Sequence, residues 1–301
     1  MNKSLLSISS HVVHGYVGNR AMVFPLQYTG WDVDALNTTN YSNHPGYGSF
    51  SGTASSAELV SDILAGLSKI LKFNHYDIIL TGYTPNADVL EVVKNEILNI
   101  MHGPEKPKWI VDPVLGDNGR LYVSEKVIPV YKDIFASGHV SLTTPNQFEF
   151  ETLSGVKVTS WDSIKEAVNR FNELYKVDNL VISSIHIDEE LYCVSYSKES
   201  GKTFYIPIRQ IPCNFNGSGD LFTAILANSY YDNEYRITPE VISDTVTKLH
   251  KILDFSYQDE LNQTNNQDKE VTLVKDIRVI AAKDVLLENH TLELIEEVVY
   301  L

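Results

Sequence analysis

The sequence predicts an α/β fold in which a mostly parallel central sheet lies between two layers of helices. Short continuous apolar runs, typical of buried parallel strands, alternate with segments whose apolar residues recur at helical spacing. This alternation implies βαβ crossovers, which place helices on both faces of the sheet. No linker and no internal repeat is visible in the 301 residues, so we expect a single three-layer α/β/α domain over residues 1–301.

The N-terminal region predicts a strand, a turn, a helix and a second strand. Residues 5–8 form the first apolar run, and residues 9–11 are expected to form a polar turn after it. A helix is predicted over residues 21–26 and is cut by Pro25, because proline lacks the N–H that a helix interior needs. Residues 31–36 alternate between apolar and polar side chains and predict the second strand.

The segment 40–52 follows neither a helical nor a strand period. It is rich in glycine, serine and asparagine, and it contains the aromatic rings of Tyr41, Tyr47 and Phe50. A plain surface loop is one interpretation. Three rings in a loop that packs against nothing would be unusual, which favours the other interpretation, a flap that faces a substrate.

The rest of the chain continues the alternation of strands and helices. The predicted helices are 57–71, 87–101, 163–175 and 238–253, and the predicted strands are 78–80, 109–111, 140–143, 180–182 and a closing strand at 277–280. A short terminal element is expected at 285–287. We expect the polar and weakly patterned residues 254–270 to form a surface excursion.

Polar or turn residues follow several of the predicted strands, at the carboxyl end of each. In an open parallel sheet these ends lie along one edge, and ligands bind beyond that edge. We therefore expect the catalytic and ligand-binding residues to lie at this edge. The residues concerned are Ser9 and Ser10, residues 81–83, Asp112 and Pro113, residues 144–146, and Ser183 and Ser184.

The charge and composition exclude several classes of protein. A formal net charge of −15 argues against nucleic-acid binding and against an anionic membrane surface, since both attract basic proteins. No apolar run suggests a membrane span and no cleavable signal is visible. With only Cys193 and Cys213, we expect a reducing compartment, the cytoplasm or the nucleus. An acidic protein that handles phosphates needs a local divalent cation, which carboxylates commonly hold.

The string GSGD at 217–220 predicts a glycine loop that runs into a helix N-terminus. Unpaired N–H groups of a first helical turn bind anions, and Gly217 and Gly219 let a phosphate approach the backbone without a Cβ in the way. Asp220 at the mouth of such a site can take the proton of an attacking hydroxyl, so it is our candidate general base. The alternative is an ordinary helix cap formed by Ser218 and Asp220.

Two further motifs carry carboxylates. Asp112 and Asp117 flank a turn at a strand end, so they are either ligands of a hard cation or solvated turn residues. Asn146 and Glu149 share one face of a first helical turn that Pro145 is suited to open, and they form either a capping pair or a magnesium–phosphate site. The sequence contains no GxxxxGK[ST], no HExxH and no GxGxxG after the first strand, which argues against P-loop, simple zinc and dinucleotide sites.

Matching stretches spread over most of the chain resemble the ribokinase-like superfamily and, more narrowly, the pyridoxal kinases. The string GSGD is typical of the superfamily, whereas SHVVHGYVGN at 10–19 and SNHPGY at 42–47 indicate a vitamin B6 substrate. Further matches are FPLQ at 24–27, TGY at 81–83, DPVLGD at 112–117 and TPNQFE at 144–149. The resemblance implies a ribokinase-like fold and transfer of the ATP γ-phosphoryl group to the 5′-hydroxymethyl group of pyridoxal, pyridoxine or pyridoxamine.

The resemblance also implies roles for individual residues. Asp220 would be the base, and the amides of Gly217, Ser218 and Gly219 would bind the moving phosphoryl group. Positions that contact the vitamer correspond to Ser10, Val17, Tyr41, His44, Pro45 and Tyr83. Asp112, Asp117, Asn146 and Glu149 would organise Mg²⁺ and the ATP phosphates, with Asp112, Asp117 and Glu149 as metal ligands, while Thr144, Ser183 and Ser184 line the nucleotide side. K⁺ or a similar monovalent cation and a homodimer are also implied.

Pro45 departs from the family pattern, which has a threonine whose hydroxyl reaches the substrate. Because proline has no hydroxyl group, the hydrogen bond from this position to the substrate, of about 1 kcal/mol, is lost. Ser218 stands where threonine is usual and keeps the hydroxyl. Two alternatives stay open: a kinase for another heteroaromatic alcohol such as hydroxymethylpyrimidine, and a weakly active paralogue that mainly binds pyridoxal phosphate. The presence of Asp220, Asp112, Asp117 and Glu149 speaks against the second.

Overall fold

Fourteen strands and eight α-helices occur in residues 3–103, 106–263 and 271–301, the parts of the chain that the computed structural model describes. In chain order the strands are β1 (Lys3–Val12), β2 (Trp31–Tyr41), β3 (Gly52–Ala54), β4 (Ile78–Thr81), β5 (Lys108–Val111), β6 (Gly116–Asp117), β7 (Arg120–Leu121), β8 (Val140–Thr143), β9 (Asn179–Ile187), β10 (Glu190–Ser197), β11 (Lys202–Ile208), β12 (Asn214–Phe215), β13 (Leu273–Val274) and β14 (Val299–Tyr300). The helices are α1 (Asn19–Tyr28), α2 (Ala57–Leu67), α3 (Ala87–Met101), α4 (Val127–Ala136), α5 (Gln147–Ser154), α6 (Trp161–Leu174), α7 (Ser218–Asp232) and α8 (Pro239–Gln263).

Ten of the strands form one sheet, in the order β14-β11-β10-β9-β8-β5-β4-β1-β2-β3. The strands β2, β1, β4, β5, β8 and β9 pair in parallel. An antiparallel extension of β10, β11 and β14 widens one edge, and the short antiparallel strand β3 ends the other. The predicted mostly parallel sheet is therefore confirmed.

Helices cover both faces of the sheet, as predicted. Because side chains alternate along β1, Leu6 and Ile8 point into one apolar layer and Leu5 into the other. The first layer is filled from α2 to α6 by Val60, Val89, Tyr131, Phe150 and Phe171, and the second from α1, α7 and α8 by Met22, Phe222, Leu226 and Ile242. The central sheet between two helical layers is the expected α/β/α arrangement.

Two predictions for the N-terminal region are wrong. Residues 9–11 form no turn, because their backbone continues β1 and pairs with β2, with a register shift between Ser9 and His11. Helix α1 is not cut by Pro25 but runs on to Tyr28. The proline withholds one N–H donor, while its carbonyl still accepts the N–H of Thr29 at 3.1 Å, so the helix continues beyond it.

The flap region is more regular than the sequence suggests. Residues 40–41 end β2, a 3₁₀ turn spans Pro45–Tyr47, and Gly52 begins β3. Short β3 pairs with β2, so the segment returns to the edge of the sheet. The helix predicted at 57–71 ends at Leu67.

The C-terminal region differs most from the prediction. Helix α8 continues to Gln263, so residues 254–263 are helical and not a surface excursion; residues 264–270 lie outside the described residues. Ser256 is fully buried in this extension. Residues 277–280 form no strand, although Ile277 and Val279 are buried, and the closing strand is β14. Residues 285–287 belong to a 3₁₀ helix, Lys283–Leu287.

Several elements escaped the sequence analysis. Helix α4 was missed, and so was the antiparallel pair β10–β11 that widens the sheet. Strand β9 extends five residues past Ile182, to Ile187, so Ser183 and Ser184 lie within the strand and not after its end. Strand β10 pairs with this extension and keeps it in the sheet.

Candidate functional site

The N-terminus of α7 presents a glycine loop, as predicted. Gly217 is left-handed, with φ 84°, and a Cβ at this position would lie 1.8 Å from the carbonyl oxygen of Tyr16. Only glycine fits such a position. No side chain caps the helix, and the hydroxyl of Ser218 instead points to the carbonyl of Phe215 at 3.4 Å. The capping alternative is therefore wrong, and the amides of the first turn are available to an anion.

Asp220 lies in this first turn, half-buried in the cleft. Desolvation raises the pKa of its carboxyl group to about 6, although the N–H of Gly18 hydrogen-bonds to it and acts in the opposite direction. A Cβ on Gly18 would lie 2.2 Å from the Ser10 hydroxyl. The β1–α1 loop thus brings Ser10 and Gly18 towards the candidate base, and these distant segments meet as predicted.

Asp112 is buried after β5 and is held by a chain of hydroxyl groups. Thr223 on α7 donates a hydrogen bond to its carboxylate at 3.2 Å, and the hydroxyls of Thr223 and Thr144 lie 3.0 Å apart. Burial raises the pKa of Asp112, and the nearby charges of Glu149 and Asp220 raise it further. The carboxyl groups of Glu149 and Asp220 therefore both disfavour a negative charge on Asp112.

Asn146 and Glu149 form a capping box at the start of α5. The Asn146 side chain accepts the Glu149 N–H at 2.9 Å, and the Glu149 carboxylate accepts the Asn146 N–H at 2.9 Å. Pro145 precedes the helix and does not open it. The second Glu149 oxygen accepts the Leu115 N–H at 2.9 Å. Burial nevertheless raises the pKa of Glu149 to about 8. Ionising this capping residue in the cleft therefore costs free energy, because its charge is desolvated.

Asp117 differs from Asp112, because its side chain is exposed on the β6–β7 hairpin and accepts the Asn118 N–H at 2.7 Å. Within residues 3–103, 106–263 and 271–301, no three His, Cys, Asp or Glu side chains form a group that could hold a metal ion. Asp112 and Glu149 also form no ion pair with a basic side chain of the described chain, so their buried carboxylates suit a cation that arrives with phosphate ligands.

These residues border one continuous cleft. A part of about 350 Å³ is lined by Asp112, Asp117, Thr144, Asn146, Glu149, Ser183, Ser184, Gly217, Ser218, Gly219 and Asp220. It shares walls with a part of about 530 Å³ that lies towards α8 and β11, lined by His186, Arg209, His250 and Leu253 among others. Together the two parts offer room for a ligand the size of a nucleotide beside the α7 N-terminus. The cleft therefore brings together the residues that were predicted for the nucleotide.

Among the predicted vitamer residues, Val17 lies against the glycine loop, and Tyr83 and Tyr41 neighbour each other. Val17 is near Gly217, since a Cβ on that glycine would lie 3.5 Å from its side chain. Tyr83 is half-buried, its hydroxyl is 3.4 Å from the Tyr122 carbonyl, and burial raises its pKa to about 12, with a further contribution from the neighbouring Tyr41. Tyr41 also contacts the ring of Phe50, at a centroid distance of 4.7 Å. Two tyrosine rings are thus available to an aromatic substrate.

The two flap residues predicted to touch the substrate differ in exposure. His44 is buried, and its Nε2 donates to the carbonyl of Lys275 at 3.0 Å. Pro45 is exposed at the first position of the 3₁₀ turn. The His44 ring thus has a protein partner in this conformation.

Sequence reasoning missed two contributors to the site. Thr223 joins Asp112 to Thr144, and the N–H of Gly18 binds the candidate base. Thr223 follows Asp220 by nearly one helical turn, so its helical spacing was a usable signal. Gly18 acts through its backbone alone, which no side-chain pattern could indicate.

The chain is similar to several known kinases. The family described as phosphomethylpyrimidine kinase matches residues 53–241. A pyridoxal kinase of Arabidopsis thaliana is 37% identical over 83% of this chain and 82% of its own length, and that of Homo sapiens is 31% identical over 93% of both. The structure of Leishmania donovani pyridoxal kinase in complex with ADP and pyridoxamine superposes with a TM-score of 0.84, with 30% identity, over 96% of this chain and 97% of that one. In the described residues, no helix is long and apolar enough to cross a membrane.

Proposed function

The chain belongs to the pyridoxal kinase family of the ribokinase-like superfamily, and from this premise we propose that it phosphorylates B6 vitamers with Asp220 as the general base. The observation that carries the proposal is the meeting of a half-buried carboxylate with an uncapped helix N-terminus in one cleft. It is an enzyme that uses ATP and a vitamer alcohol as its two substrates. We also propose that residues 1–301 act as one domain, in a cytoplasmic or nuclear homodimer.

The proposed reaction is a direct phosphoryl transfer. Asp220 accepts the proton of the 5′-hydroxyl as its oxygen attacks the γ-phosphorus, and the bond to the β-phosphate oxygen breaks to release ADP. The amides of the Gly217–Gly219 loop bind the phosphoryl oxygens, where charge accumulates. Tyr41 and Tyr83 hold the pyridine ring so that the alcohol faces the base.

The carboxylates of Asp112 and Glu149 fit a divalent cation bound with ATP, because they are buried without a basic partner in the described chain. We propose Mg²⁺ for this role, with Asp117 acting through water from its exposed position, and K⁺ or a similar ion as an additional requirement. When bound, the divalent cation would neutralise the ATP phosphates. Asn146, Thr144, Ser183 and Ser184 would orient the nucleotide.

The proposal is tested by assaying the purified protein with ATP and each of pyridoxal, pyridoxine and pyridoxamine, with and without Mg²⁺ and K⁺. We expect a 5′-phosphate ester and ADP in equal amounts, and loss of turnover when a chelator removes the divalent ion. Hydroxymethylpyrimidine is included because the matching family is described as a phosphomethylpyrimidine kinase. A preference for that alcohol would replace the vitamer assignment, and binding of pyridoxal phosphate without any turnover would favour the carrier alternative.

The pH dependence of kcat/KM follows from the raised pKa of Asp220. Burial raises this pKa to about 6, and the base must be ionised to act. We therefore expect the ionisation of Asp220 to make kcat/KM fall about tenfold per pH unit well below pH 6. A profile measured from pH 5 to pH 8 checks this, and a flat profile down to pH 5 would contradict the role of Asp220.

Replacing Pro45 by threonine should strengthen vitamer binding. Proline has no side-chain donor, whereas a threonine hydroxyl at this exposed flap position can reach the substrate, as in the family pattern. For Pro45→Thr we expect the vitamer KM to fall about five- to tenfold, equivalent to about 1 kcal/mol, with kcat changed less. Pro45→Ala is the control, since it removes the ring without adding a hydroxyl. An unchanged KM in Pro45→Thr for every vitamer would show that the position makes no polar contact.

A further inference from the structure

Three loops meet at the carboxylate of Asp276, a residue outside the sequence motifs and outside the matched family region. The Tyr47 hydroxyl of the flap donates a hydrogen bond to Asp276 Oδ2. His44 Nε2, also in the flap, lies 3.6 Å from Oδ1, and His14 Nε2 of the β1–α1 loop lies 3.5 Å from Oδ2. The Nζ of Lys275 lies 4.9 Å from the Tyr47 ring centroid. One side chain therefore contacts both loops that border the vitamer residues.

The packing around this carboxylate is close. A Cβ on Gly15, where φ is +102°, would lie 2.5 Å from Asp276 Oδ1. A Cβ on Gly46 would lie 2.8 Å from His44 Nδ1 and 3.0 Å from Asn216 Nδ2. Glycines at these two positions let the flap lie directly against its neighbours. The flap is therefore packed against the rest of the protein.

The segment that contains Asp276 is connected to the glycine loop and to α8. It follows β13, which pairs with β12 immediately before the glycine loop. Arg278 forms ion pairs with Asp259 and Glu260 of α8, each at 2.7 Å. The β12–β13 pair thus connects Asp276 to the glycine loop that contains Gly217. A flap bound to Asp276 therefore has a defined position relative to this loop.

The hydrogen bond from Tyr47 to Asp276 joins a neutral donor to a charged acceptor. Desolvation raises the pKa of Asp276, but the nearby His44 ring and the hydrogen bond from Tyr47 outweigh it and lower the pKa below the usual value. Desolvation and the bond to Asp276 raise the pKa of Tyr47 to about 12. At neutral pH a carboxylate therefore accepts from an intact phenol, a charge-assisted hydrogen bond of the stronger kind.

We propose that Asp276 is a positioning residue that holds the flap, residues 40–52, closed over the vitamer by binding the Tyr47 hydroxyl, with the His44 ring beside it. Tyr41, which the proposed function assigns to the pyridine ring, ends β2 at the start of this flap, so the inference rests on that function. Without the contact, Tyr41 and the rest of the flap lose their fixed position. The consequence is weaker capture of the vitamer, with the nucleotide side little affected.

The test compares Asp276→Ala and Tyr47→Phe with a matched pair elsewhere. Tyr28 donates to Asp284 at 2.7 Å in an exposed contact away from the flap, so Tyr28→Phe and Asp284→Ala are the controls. For the two flap variants we expect the vitamer KM to rise about tenfold, with the ATP KM changed by less than about twofold. The controls should keep both constants.

A second measurement follows the flap directly by hydrogen exchange without substrates. The amides of Ser42, Tyr47 and Gly48 have backbone acceptors within the flap, so their exchange reports its order. It should accelerate in Asp276→Ala and Tyr47→Phe, and in the double variant no more than in either single variant. Unchanged vitamer KM and unchanged flap exchange, or an equal rise of both Michaelis constants, would overturn the proposal. A wild-type protein that phosphorylates no vitamer would refute the proposed function, while exchange would still decide whether Asp276 holds the flap.

Discussion

Asp220→Asn should reduce kcat by about 10²–10⁴-fold while ATP binding stays intact. The asparagine side chain has nearly the same shape and keeps an oxygen that can accept the Gly18 N–H, but it cannot take the proton of the attacking alcohol. Only the chemical step loses a contribution, so the vitamer KM should change little. The measurement is a steady-state assay of the variant together with ATP titration by calorimetry.

Stability should not account for that loss of activity. The pKa of Asp220 is raised on folding, so ionisation of the carboxyl group lowers the free energy of unfolding as pH rises from about 4 to about 6, and the cost persists above pH 6. Removing the charge should leave the variant at least as stable as the wild type at pH 7.5. Asp232→Asn, at the exposed far end of the same helix, is the control and should retain full activity. Turnover of Asp220→Asn within tenfold of the wild type would show that another group is the base.

Gly217→Ala should produce the second large effect, because the new Cβ would lie 1.8 Å from the Tyr16 carbonyl oxygen at a residue with φ +84°. Either the β1–α1 loop or the start of α7 has to move. We expect turnover to fall about 10²-fold or more, as for loss of an oxyanion donor, and the free energy of unfolding to fall by roughly 2–4 kcal/mol. Activity assays and urea denaturation measure the two effects.

Gly219→Ala is the matched control for this substitution. It lies two residues further along the chain, in the first turn of α7, where a Cβ would meet no atom within 4 Å, and its φ is not positive. Its free energy of unfolding should stay near that of the wild type. Equal destabilisation by the two alanines would show that the contact with Tyr16 does not set the loop conformation.

The order of the strands and helices could be predicted because the parallel part of the sheet has a simple sequence signal. Residues 78–80 and 109–111 are buried on both faces and are therefore continuously apolar, and residues 140–143 are equally buried although Ser141 and Thr143 interrupt the apolar run. β10 and β11 escaped because a strand at a widened edge mixes buried and exposed positions. The extension of α8 escaped because polar side chains cover most of its surface there, and only Ser256 is buried.

The candidate site was predictable where a side chain carries the chemistry and less so where the backbone or a remote segment does. Asp220, Asp112 and Glu149 follow strand ends or a glycine loop, which is a signal visible in sequence. The Gly18 N–H gives no such signal. Asp276 sits between weakly patterned residues, and only the fold brings it to the flap.

The central claim is tested most directly by kcat/KM of wild type and Asp220→Asn for pyridoxal and for hydroxymethylpyrimidine, with the phosphorylated product identified by ³¹P NMR. The account predicts a phosphate ester at the 5′ oxygen of pyridoxal, a higher kcat/KM for pyridoxal than for the pyrimidine, and loss of both activities in the variant. A wild type that prefers the pyrimidine, or a variant that still phosphorylates pyridoxal at the wild-type rate, would contradict it.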